Sequence, residues 1–71
     1  MRKDAKKYMN SVVEIIIRKY SLSEIESYKA VKSSFLYDSL NKFPDETIHD
    51  DMETNADFIY QDYISEHLLE M

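Results

Sequence analysis

The residues best suited to chemistry lie together at His49, Asp50, Asp51 and Glu53. On a continuous helix His49 and Glu53 stand one turn apart, the spacing at which an imidazole and a carboxylate can share a proton or a metal ion. Metal sites need three or four converging ligands, and the same carboxylates at a helix start also serve as solvated groups complementing the helix dipole. His67 beside Glu66 is no stronger. The chain has no cysteine, no glycine for a phosphate-cradling loop, and no Ser, His and Asp at a spacing that supports nucleophilic catalysis. The expectation is a protein that is not an enzyme, with no catalytic residue, no metal site and no cofactor.

Those four residues belong to residues 44–71, which carry nine carboxylates (Asp45, Glu46, Asp50, Asp51, Glu53, Asp57, Asp62, Glu66, Glu70) and no Lys or Arg. Residues 1–20 carry six basic and two acidic groups, and residues 21–43 three of each, so the net charge of −5 is strongly segregated. A nucleic-acid binder normally presents a net basic face. Here only the first helix can offer one, so direct nucleic-acid binding is the weaker expectation.

Three helical segments position these groups. Ala5, Tyr8, Met9, Val12, Ile16 and Tyr20 recur at helical spacing, with Val13 and Ile17 broadening the stripe. The β-branched run at Val12, Val13, Ile15, Ile16 and Ile17 also suits a strand, but no partner strand is evident. A helix is predicted over 3–20, with Ile15 hinting at a second contact face. Ser21 with Glu24, or Ser23 with Glu26, can form a capping box. Ile25, Tyr28, Val31, Phe35 and Leu36 then predict a helix over 23–42, with Ser33 and Ser34 as a point of interruption and Phe43-Pro44 as its end. Ile48, Met52, Ala56, Ile59 and Tyr63 predict an acidic helical segment over 45–70, which Thr54 with Asp57 can divide by capping a fresh start. The absence of glycine disfavours hairpin turns. Together these features predict one all-α domain over 1–71, a small bundle of three to four helices.

A chain of 71 residues buries only about 60% of its unfolded surface. With 44% hydrophobic residues and no disulfide or metal, self-association is expected. Val13, Ile15 and Ile17 are the candidates for a homodimer through the first helix. The lack of cysteine fits a cytoplasmic protein. No cleavage site follows the short apolar run at 12–17, and that run is too short to span a membrane, so no signal peptide and no membrane association are expected.

Leu22-Ser23-x-x-Glu26-x-Tyr28, Ile48-His49 and Tyr63-Ile64 resemble a family of small bacterial helical domains of unknown function, some encoded beside predicted toxin genes. The chain lacks the Thr and Gly that the family carries after the histidine. The resemblance implies a toxin–antitoxin or mobile-element setting, with no catalytic residue to carry over.

Tyrosine and methionine are favoured at interfaces. Tyr8, Tyr20, Tyr28 and Tyr63 fall on apolar stripes and read as core and rim; Tyr37 and Tyr60 do not, and Phe58 with Tyr60 is expected to form an exposed aromatic edge. Two functions compete. In the first, the chain is a small acidic interaction module, an antitoxin or inhibitor from a bacterial or phage mobile element. Its residues Asp50, Asp51, Glu53, Asp57, Phe58, Tyr60, Asp62 and Tyr63 would meet a basic protein such as a toxin, nuclease or other nucleic-acid-binding protein, in one variant by mimicking nucleic-acid charge. In the second, it is a DNA-binding regulator using the basic residues 2–7 and the first helix. Net charge favours the first.

Overall fold

The structure, a computed structural model, describes residues 1–69, with side chains as far as Glu66. It contains five helices: α1 (Lys3–Tyr20), α2 (Glu24–Lys32), α3 (Phe35–Lys42), α4 (Pro44–Thr47) and α5 (Met52–Leu69). No strand occurs among the described residues. The all-α expectation holds, but five helical segments replace the expected three or four. Glu70 of the acidic stretch, and the His67 side chain, lie outside what is described.

α1 forms the spine. Its predicted stripe is the centre of the core, with Ala5, Tyr8, Met9, Val12, Val13 and Ile16 buried. α2, α3 and α5 all pack against it. α5 contributes Ala56 and Ile59, with Met52 and Tyr63 packed against the core as the helical spacing predicted, whereas Ile48 joins the core from the turn before α5.

The turn after α1 is made without glycine. Ser21 caps α1 in the left-handed region (φ 57, ψ 30), and its N–H donates to the Ile17 carbonyl at 3.0 Å. The cap of α2 is therefore Ser23, whose hydroxyl accepts from the Glu26 N–H at 3.1 Å.

The paired serines do end α2. Ser33 Oγ donates to the carbonyls of Lys29 and Ala30, and Ser34 Oγ to that of Val31 at 2.6 Å. Ser34 Oγ then accepts from the Leu36 N–H and caps α3. Hydroxyl-to-backbone bonding thus competes with the helical ladder here.

This break changes which residues face inward. Ser27, Ala30 and Val31 of α2 and Leu36 and Leu40 of α3 are buried, whereas Ile25, Tyr28 and Phe35, expected on one continuous stripe, are 68%, 41% and 49% exposed.

The acidic segment divides at 48–51 rather than at Thr54. α4 is a single turn opened by Pro44, a residue suited to the first helical position because no N–H is needed there. Thr47 Oγ1 ties it back to α3 by donating to the Phe43 and Ser39 carbonyls. Asp51 then caps α5, its carboxylate accepting from the Thr54 N–H at 2.9 Å and the Thr54 hydroxyl at 2.7 Å.

Holding a non-glycine residue in the left-handed region costs roughly 1 kcal/mol. Ser21→Gly should stabilise the fold by about 0.5–1 kcal/mol. Thermal unfolding followed by circular dichroism should register this as a midpoint raised by a few degrees.

Candidate interaction surfaces

The eight acidic and aromatic residues expected to form one partner surface are divided among three environments. Glu53, Asp57 and Tyr60 face the end of α1. Lys19 Nζ donates to Glu53 at 3.0 Å and to both Asp57 oxygens at 3.0 and 3.2 Å. The Tyr20 hydroxyl donates a hydrogen bond to Asp57. The Tyr20 and Tyr60 rings stack with centroids 3.6 Å apart and 7° between their planes. The expected Phe58–Tyr60 edge does not form, because residues two apart on a helix point to different sides.

Asp50, Asp51 and Tyr63 serve the interior or the turns. The Asp50 carbonyl accepts from the Tyr8 hydroxyl at 2.7 Å, and that hydroxyl accepts from Asn55 Nδ2 at 2.8 Å. Asn55 is buried and joins α5 to α1 through this chain of bonds. Asn55 carries no periodic apolar signal, so sequence reasoning passed over it. Tyr63 is half-buried against the core.

Phe58 and Asp62 remain outward, one helical turn apart, with Phe58 59% exposed. Asp62 also lines a cleft of about 120 Å³ with Phe35, Tyr63 and Glu66, between the α2–α3 junction and α5. Asp62 and Glu66 form no ion pair with any described residue. This is the acidic and aromatic surface that the fold leaves open.

Counter-charge for the acidic half comes from the two ends of α1. Lys19 holds Glu53 and Asp57, and Arg2 donates to Asp45 at 2.6 Å as well as to Asp4. The Tyr20 hydroxyl and then Lys19 hold the Asp57 carboxyl below its ordinary pKa, and the same carboxylate raises the Tyr20 hydroxyl. Arg2 lowers Asp4, and the Thr54 hydroxyl and N–H lower Asp51.

On the other flank of α1 a groove of about 920 Å³ separates it from α2, floored by Val13 and Ile17 and walled by Ile25 and Tyr28. Val13, Ile15 and Ile17 therefore do not form a free stripe on α1. Val13 is buried and Ile15 and Ile17 are half-buried against the core, with Val13 and Ile17 on the side that α2 approaches and Ile15 on another. Only Val13 and Ile17 also line the groove.

The structure does not place His49 and Glu53 on one helix: His49 lies in the turn before α5. Glu53 and Asp57 converge on the Lys19 ammonium, and no group of three or more His, Asp or Glu among the described residues can hold a metal ion. No helix among them is long and apolar enough to cross a membrane. No protein-family model matches the chain, and searches of curated proteins and of solved structures return no match.

A carboxylate whose pKa is depressed by folding stabilises the native state above its unfolded pKa, and that contribution is lost as pH falls through the folded value. Asp57, Asp4 and Asp51 are all depressed. Stability should therefore fall as pH drops below about 4, the ordinary carboxylate pKa. Asp57→Asn should lower the unfolding midpoint at pH 7, and its deficit relative to the unaltered chain should shrink towards pH 2.

Proposed function

We propose that this chain is a small acidic protein-interaction module that binds a basic surface on another protein and also self-associates. The supporting observation is the open face of α5: Phe58 stands in solvent one turn from Asp62, while Glu53 and Asp57 on the opposite flank are engaged by Lys19. A rigid helix carrying an aromatic anchor beside uncompensated negative charge suits a basic partner. The charge steers the encounter and fixes orientation, and the ring supplies contact area that loses water on binding. The resemblance to domains encoded beside predicted toxins adds an antitoxin or inhibitor role, with a nuclease or other nucleic-acid-binding protein as the target.

Binding is assigned to Phe58, Asp62, Glu66 and Phe35. Glu53, Asp57 and Tyr60 are withdrawn from it because α1 already engages them, and their replacement would disturb the fold as well as the surface.

The reading is tested by recovering the partner with the full chain from cells of the native host and measuring its binding kinetics. Asp62→Lys should slow association and reduce its salt dependence. Phe58→Ala should chiefly hasten dissociation, at a cost of about 2 kcal/mol, or roughly thirtyfold in affinity. Replacing Lys3, Lys6 and Lys7 should change little. If those lysine substitutions abolish binding and the α5 substitutions are silent, the chain is instead a DNA-contacting regulator that acts through α1.

A further inference from the structure

We propose that the α1–α2 groove seats a second copy of this chain, the two α2 helices lying antiparallel about a two-fold axis. This deepens the self-association part of the reading above and is independent of the partner assigned to α5. The groove is large for an 8.5 kDa chain, and its walls expose what a soluble monomer ordinarily covers. Ile25 is 68% exposed, and the Tyr28 ring beside it is open along the same helix. The break at Ser33 and Ser34 keeps these two side chains out of the core formed by the described residues, so they are available to a second copy.

The order of charge along the rim selects the occupant. α2 follows α1 after only three residues and packs back along it, so the groove runs from Ile17 and Glu24 at the turn end to Lys29 and Lys32 at the other. Lys29 and Lys32 form no ion pair with any described residue, and Lys32 Nζ rests 5.9 Å from the Tyr28 ring centre. An acidic peptide in the groove would meet Glu14 and Glu24, a basic one would meet Lys29 and Lys32, and parallel stacking of two copies would oppose like charges. Antiparallel pairing of two copies alone satisfies both ends. Glu24 of each copy meets Lys32 of the other, Tyr28 meets its equivalent at the axis, and Ile25 flanks the Tyr28 of the other copy, as an isologous interface requires. The same order of charge complements the α2 dipole, so these residues support both the helix and the pairing.

Sedimentation of the full chain at tens of micromolar should give a particle of twice 8.5 kDa. Ile25→Asp should give a monomer with unchanged helical circular dichroism and unfolding midpoint, since the side chain is outside the core. Glu24→Lys or Lys32→Glu alone should each weaken the dimer about tenfold, because each opposes like charges twice across the axis. Combining them in one chain should restore association to within about threefold of the original, since the exchanged charges again face opposites. A monomeric unaltered chain overturns the inference, as does a dimer that survives Ile25→Asp, or a double variant no better than the singles. Phe58→Ala and Asp62→Lys should leave the dimer intact. If they dissociate it, the α5 face is the self-interface and the groove assignment fails. If they abolish partner binding while the dimer persists, only the assignment to α5 is tested, and it stands.

Discussion

The structure depends on the burial of one side of α1. Half of the twelve buried apolar residues among those described belong to this single helix, and α2, α3 and α5 each bury their apolar residues against it. A buried Val, Ile, Leu or Met side chain is worth about 1.5–3 kcal/mol relative to exposure. In a chain of this size a few such residues decide whether the fold exists. Val12 and Ile16 are fully buried at its centre.

Because α1 is the spine, it also settles the charge problem. Its core face is apolar, so its cations must lie on the flanks and ends, and Arg2 and Lys19 stand where the acidic half passes. Charge compensation is therefore local and partial. The flank of α5 nearest α1 carries paired carboxylates and a stacked tyrosine, while the far flank keeps its charge and an exposed phenylalanine. These surface ion pairs are each worth little in water. Their effect is to decide which part of a uniformly acidic segment remains negative to an approaching partner.

The helical spacing of α1 and α5 was legible because each stripe is long and apolar, and Tyr8, Val12, Ile16, Ala56 and Ile59 all point inward as that spacing implies. The serine pair was legible as a break. Its consequence was not: once α2 and α3 are separate, each turns its own side to α1, and Ile25 and Phe35 are left outside. The boundary at 48–51 was hidden because Asp51 looks like one more acidic residue until the Thr54 N–H and hydroxyl are seen to converge on it. The division of the candidate surface was also hidden. Which carboxylates face Lys19 depends on how α1 and α5 cross, and no local pattern encodes that. Phe58 was recognisable as an outward aromatic; Tyr60 was not recognisable as the stacking partner of Tyr20.

The bond from the Tyr8 hydroxyl to the Asp50 carbonyl joins residues 42 positions apart, and the pairing of Lys19 with Asp57 joins residues 38 apart. Closing loops of that size costs chain entropy before any contact repays it, whereas α2 meets α1 across a three-residue turn. Folding therefore favours an early N-terminal hairpin whose apolar flank waits for α5. The residues that meet Tyr8, namely Asp50 and Asn55, lie beyond that hairpin and join it only when those long loops close. Until they close, the apolar flank of the hairpin is the surface that a protease or a second unfolded chain can reach.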